Sequence, residues 1–134
     1  MYSSLEITVL VHATEDGIKI KNKILEYINR KNESLNIVSQ STEGHWKNPI
    51  HVLKISITKE IDDIFRNLVK DLNVAYGDDS TAEYLKHNTN EKGYLFIRLD
   101  KQKFMGDKIF IHDADPIRLI FKTKNIEKNF LNSS

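Results

Sequence analysis

Three short polar segments each group several side chains that could do chemistry. They are residues 12–16, residues 43–50 and residues 98–103. The middle segment contains the only tryptophan of the chain, Trp46, with a histidine, a lysine and an asparagine beside it. A plain hairpin turn needs far fewer functional groups, and binding residues are often found on loops of this kind. The segment is therefore the first candidate for a functional loop.

An exposed aromatic ring beside a lysine suits RNA, because the ring can stack on a base while the ammonium neutralises a phosphate. On this basis nine residues are predicted to bind RNA. They are His12, His45, Trp46, Lys47, Asn48, Arg98, Lys101, Gln102 and Lys103. Structural roles compete with this interpretation. Trp46 could cover an edge of the core, and acidic residues at positions 15 and 16 suit the start of a helix.

A second aromatic feature lies on a predicted strand. Tyr94, Phe96 and Arg98 alternate with Leu95, Ile97 and Leu99, so the two sets occupy opposite strand faces. The first set resembles the aromatic and arginine platform of sheet-based RNA binders. If helices cover only one face of the sheet, the same patch could instead close a dimer interface.

Catalysis is the weaker interpretation. His12, His45 and Asp100 are residue types that could ligate a divalent metal or act as acid and base in phosphodiester cleavage. No spaced ligand motif such as H-E-x-x-H accompanies them, and the chain has no cysteine. We therefore predict a protein that is not an enzyme, with no cofactor and no bound metal.

Composition limits the other possibilities. The chain has 134 residues with 20 basic and 19 acidic side chains, so any contact with RNA must come from a local patch rather than from overall charge. No apolar run approaches the roughly 20 residues of a membrane span, and the N-terminus lacks a signal-peptide pattern. We expect a soluble cytoplasmic protein that does not associate with membranes.

The hydrophobic pattern predicts one domain over residues 1–124 and a C-terminal tail over residues 125–134. Strands and helices follow in the order β-α-β-β-α-α-β-β-β, which indicates an α+β fold with two or three helices on one face of a largely antiparallel sheet. The fifth predicted strand covers residues 109–111. Helix starts are predicted from Thr14, Glu15 and Asp16, from Thr58, and from a capping-box pattern at residues 80–83. The second helix is expected to pack on the third strand.

The three polar segments also carry a resemblance. The sequences VHATED (residues 11–16), EGHWKNPI (43–50) and LDKQ (99–102) resemble, in order and spacing, an archaeal family of RNA-binding proteins and exosome subunits. The resemblance covers nearly the whole chain. It implies an α+β fold related to a ribosomal large-subunit protein that touches 5S RNA, and it implies RNA binding. It also implies an accessory role beside an RNA-processing or exosome complex, with protein subunits as partners.

The resulting hypothesis is a non-catalytic RNA-binding module. Two alternatives stay open: a metal-dependent phosphodiesterase or nuclease, and a protein-interaction adaptor that does not contact RNA. The oligomeric state is also open, with a dimer through the sheet face as one possibility. Since all three polar segments follow or flank predicted strands, we expect them to lie close together in space.

Overall fold

The computed structural model of this chain describes residues 2–30, 36–43 and 49–124. The strands among them are β1 (Tyr2–Val11), β2 (Asn36–Glu43), β3 (Pro49–Ile57), β4 (Leu95–Asp100) and β5 (Pro116–Thr123). The helices are α1 (Gly17–Ile28), α2 (Ile61–Tyr76), α3 (Asp78–His87) and α4 (Lys101–Met105). The predicted RNA-binding residues His45, Trp46, Lys47 and Asn48, and the predicted tail at 125–134, lie outside the described residues.

The five described strands form one sheet in the order β2-β3-β1-β5-β4, and each neighbouring pair is antiparallel. The alternation in β1 decides which face is covered: Leu5, Ile7, Val9 and Val11 are buried, while the residues between them are not. Helical side chains cover this buried face, and together they form the core. The predicted α+β fold, with an antiparallel sheet and helices on one face, is confirmed.

The pairing of helices with strands differs from the prediction. The helix that packs over β3 is α1, and α2 packs over β1. The sheet order explains the difference. The chain between β3 and β4 must pass β1 and β5, which lie between them, so α2 covers the middle of the sheet. Within the described residues, no helix is both long enough and apolar enough to cross a bilayer.

Two of the three predicted helix starts are wrong. Asp16 does cap α1, and its carboxylate accepts hydrogen bonds from the backbone N–H groups of Ile18 and Lys19. Thr58 does not cap α2. The residue before this helix is Glu60, whose backbone is in the left-handed conformation and whose side chain makes no capping hydrogen bond. The capping-box residues 80–83 lie inside α3, because Gly77, with φ of 86°, lets the chain begin a new helix immediately after α2.

The predicted strand at residues 109–111 is reduced to a single bridge between Ile111 and Leu99. Backbone bonds from Asp100 N to Phe110 O and from His112 N to Arg98 O hold this segment along the outer edge of β4. The observed order therefore has the short helix α4 where the sequence predicted only a polar segment. Covering the edge of β4 protects it from pairing with another chain.

Candidate nucleic-acid interface

Several of the predicted site residues lie where β1 and β4 end and β5 begins. Lys101, at the start of α4, is 2% exposed. Its ammonium donates hydrogen bonds to the backbone oxygen of Leu10 at 2.9 Å and to Glu15 Oε1 at 2.8 Å, and it lies 2.8 Å from Asp115 Oδ2. These three acceptors match the three ammonium donors. The predicted phosphate contact by Lys101 is therefore wrong, because its charge is buried and already neutralised.

His12 belongs to the same cluster. Its Nε2 lies 3.1 Å from Asp115 Oδ2, and its backbone N–H donates to Glu15 Oε1 at 2.9 Å. Burial alone would raise the pKa of Asp115, but the hydrogen bonds from Lys101 and His12 outweigh it and hold the pKa below its ordinary value. Asp115 is therefore a carboxylate that contacts both polar segments, His12 in residues 12–16 and Lys101 in residues 98–103.

The expected proximity of two polar segments is confirmed by these bonds, which join residues 12–16 to Lys101. The middle segment, residues 43–50, is described only at its ends, where β2 finishes and β3 begins. Those strands end on the same side of the sheet, since Val11 pairs with His51 and Glu43 with Pro49.

The predicted metal or acid–base set of His12, His45 and Asp100 has no support in the described part of the chain. Asp100 accepts a hydrogen bond from Lys103 N at 3.0 Å as the cap of α4. A different set does gather, since His12, Glu15 and Asp115 each offer a ligand atom within 4.8 Å of the others. The ammonium of Lys101 lies 2.8 Å from both carboxylates. The Lys101 ammonium thus supplies, beside these two carboxylates, the positive charge that a metal ion would otherwise bring.

Gln102 and Lys103 differ from Lys101, because both are exposed on α4. The Lys103 ammonium lies 5.2 Å from the centroid of the Phe110 ring, a cation–π distance. Both residues are accessible to a ligand at this end of the sheet.

A second surface is the open face of the sheet, which we define as the side away from the helices. The registers place Lys54 opposite Thr8, Thr8 opposite Arg118, and Arg118 opposite Arg98. We call Lys54, Arg118 and Arg98 the cation row. From Lys54 to Arg98 there are three strand spacings, or about 14 Å. All three side chains are exposed.

The Arg98–Arg118 pair is unfavourable for folding by itself, because like charges directly opposite each other on neighbouring strands repel. Arg98 has a partial partner in Asp113, with Nη1 and Oδ1 3.7 Å apart. In the described part of the chain, the guanidinium of Arg118 has no ion-pair or hydrogen-bond partner. An anionic ligand bound between Arg98 and Arg118 would relieve the repulsion between them, and the guanidinium groups suit such a ligand.

Of the cation row, only Arg98 was singled out from the sequence. Arg118 and Lys54 each occupy the outward position of an alternating strand. The alternation alone predicts that both side chains face outward. The sequence around either residue does not indicate that both lie in one row with Arg98. The row exists only once β5 is placed between β1 and β4.

Apolar and acidic residues adjoin the cation row. Phe96 is 36% exposed and lies opposite Ile120, and Leu10 is 37% exposed. Glu6 lies 3.0 Å from the ammonium of Lys122 and 3.5 Å from that of Lys54. Its hydrogen bond to Lys122, with the nearby charge of Lys54, holds the pKa of Glu6 below its ordinary value. The open face thus combines an aromatic ring with three cations, of which Arg98 and Lys54 each have one acidic neighbour.

A sheet that is covered by helices on one side and carries cations and an aromatic on the other defines an α+β protein with an exposed basic sheet face. This chain belongs to the protein family described as RNA binding, whose family model matches residues 4–123.

The chain is also similar to two archaeal relatives, and a solved structure shares its fold. An RNA-binding protein of Pyrococcus abyssi is 30% identical over 132 residues, which cover 90% of this chain and 81% of that protein. An uncharacterized protein of Methanocaldococcus jannaschii is 30% identical over 131 residues, covering 92% and 86%. The structure of Mth689 from Methanothermobacter thermautotrophicus shares the fold, with a TM-score of 0.75, 22% identity, and coverage of 98% and 97% of the two chains. The family is therefore represented among archaea.

Proposed function

We propose that this protein is a non-catalytic RNA-binding module that holds RNA phosphates on the cation row. The observation that carries the proposal is the directly opposed Arg98–Arg118 pair on an exposed sheet face. Family membership supports the same ligand, since the family is described as RNA binding. Lysine and arginine supply most of the affinity of proteins for nucleic-acid backbones, so three aligned cations suit a short stretch of phosphates.

The other predicted contacts extend this proposal to the end of the sheet. His12, Gln102 and Lys103 are accessible there. At the same end β2 finishes and β3 begins, and His45, Trp46, Lys47 and Asn48 belong to the stretch of sequence between these two strands, outside the described residues. An accessory role beside an RNA-processing or exosome complex in the cytoplasm is a further part of the proposal. This accessory role is supported by the resemblance of the three polar segments to an archaeal family of RNA-binding proteins and exosome subunits.

The test is a fluorescence-polarisation titration of labelled RNA at several salt concentrations. With three or four cations engaged, log affinity should fall with log salt at a slope of roughly −2 to −3, or about −0.7 per phosphate on a single strand. Arg118→Gln should weaken binding and reduce that slope by up to about 0.7. Lys70→Gln removes the same charge from an exposed position on α2 and serves as the matched control.

Two results would contradict the proposal. One is a wild-type protein that does not bind RNA at low salt, which would favour the adaptor interpretation. The other is an equal loss for Arg118→Gln and Lys70→Gln, because that would indicate non-specific attraction rather than a site on the open face.

A further inference from the structure

The residues beside the cation row are arranged in a second row across the sheet. Glu6 pairs with Ile120, and Ile120 pairs with Phe96. Phe96 and Ile120 therefore lie directly opposite each other, two residues along their strands from Arg98 and Arg118. Two residues correspond to about 6.8 Å along an antiparallel strand. An apolar pair thus adjoins the arginine pair on the same open face.

Phe96 is an unusual residue for this position. It has no polar group to direct to solvent, yet it is 36% exposed on a face that no described helix covers. Ile120 beside it is only half-buried. A nucleobase placed on the ring would remove this apolar surface from water, and base–aromatic stacking tolerates any base sequence.

We propose that the ligand of this face is single-stranded RNA, with phosphates along the cation row and a base stacked on Phe96 against Ile120. This inference rests on the proposed function and specifies its substrate class. Bases in an RNA duplex are paired and stacked on one another, so they cannot lie flat on a side chain. A duplex would use the cations and leave Phe96 uncovered.

A second copy of the chain is a poorer occupant of the face. A symmetric dimer brings the same patch of both subunits together. The cation rows would then meet across the interface, and the repulsion between Arg98, Arg118 and their symmetry mates would oppose the contact. A polyanion with exposed bases satisfies both the charge and the apolar surface.

The first experiment compares one unstructured 12-nucleotide RNA with the same strand annealed to its complement. We expect the single strand to bind at least tenfold more tightly. Phe96→Ala should weaken single-strand binding by about 5- to 150-fold, the range for one stacked base. Phe96→Leu keeps an apolar side chain without a ring and should also weaken it, while Phe96→Tyr should retain most of the affinity. None of the three should change the salt slope.

The second experiment reads stacking directly with 2-aminopurine placed in the same strand. The wild-type protein and Phe96→Tyr should quench its fluorescence on binding, and Phe96→Leu should not. Thermal unfolding of each variant checks that the fold is retained, which is expected because Phe96 lies on the uncovered face.

Equal or tighter binding of the duplex, or a Phe96→Leu variant that binds and quenches like the wild type, would overturn the single-strand inference. In either case a reduced salt slope for Arg118→Gln would leave the proposed RNA binding intact. If the wild type binds neither RNA, both the inference and the proposed function are overturned.

Discussion

Lys101 and Lys103 have the same side chain and opposite roles, although one residue separates them. Lys101 is buried and bonded to Leu10, Glu15 and Asp115, whereas Lys103 is exposed on α4. A buried ammonium is stable only when its donors are satisfied, and here all three are. At the residue scale, Lys101 therefore fixes the end of the sheet and leaves Lys103 to face solvent.

The pair gives a matched test. Lys101→Met removes the ammonium and leaves the two carboxylates facing each other, so we expect it to lower the free energy of unfolding by about 2–4 kcal/mol. Lys103→Met makes the same chemical change at an exposed position and should stay within about 0.5 kcal/mol of the wild type. Urea unfolding measures both. A loss for Lys101→Met as small as that for Lys103→Met would contradict the structural role.

At the scale of secondary-structure elements, α2 is joined to the sheet by an aromatic cluster. The ring centroid of Phe65 lies 5.0 Å from that of Tyr2 and 5.6 Å from that of Phe121. Both contacts are edge-to-face, the geometry favoured by ring quadrupoles. The cluster thus connects the helix to β1 and β5, the strands that carry Thr8 and Arg118.

Phe65→Ala should destabilise the protein by about 3 kcal/mol, the lower end of the range for phenylalanine, because Phe65 is only half-buried. Phe65→Leu retains most of the apolar volume and should cost less. Arg66→Ala, at the exposed neighbouring position, is the control for the thermal or urea unfolding. A Phe65→Ala variant as stable as the control would show that α2 is held mainly by its fully buried residues.

At the scale of the whole molecule, charge distribution matters more than net charge. The chain has a formal net charge of +1, yet the open face carries Lys54, Arg98, Arg118 and Lys122, with Glu6 among them. Glu6 binds two of these lysines. Any RNA phosphate on that side of the face must compete with the Glu6 carboxylate.

Glu6→Gln should therefore bind RNA more tightly than the wild type, with a steeper salt slope, because it removes one negative charge and releases Lys54 and Lys122. Up to one additional phosphate contact would change the slope by about −0.7. The control is Glu83→Gln on the exposed surface of α3, which removes the same charge from the helical layer instead of from the open face. Unchanged or weaker binding by Glu6→Gln would indicate that RNA does not reach Glu6.

Local sequence patterns were sufficient for most of the individual elements. The alternation in β1, the apolar spacing of α2 and the cap at Asp16 each depend on residues within a few positions of one another, so they can be read from the sequence. The same reasoning placed Phe96 and Arg98 on one strand face. It failed at residues 109–111, where a short apolar run forms only one bridge, and at Lys101, whose partners lie up to 91 residues away in the chain.

The strand order and the registers were decided by the tertiary structure. Inserting β1 and β5 between β3 and β4 brings Lys54, Arg118 and Arg98 into one row, and no local pattern encodes that meeting. The burial of Lys101 depends in the same way on Glu15 and Asp115 arriving from other elements. The sequence thus determined the fold class, the faces of the strands and the RNA-binding hypothesis. The tertiary structure decided which cations are free to bind, because pairing and burial arise from contacts between residues distant in the chain.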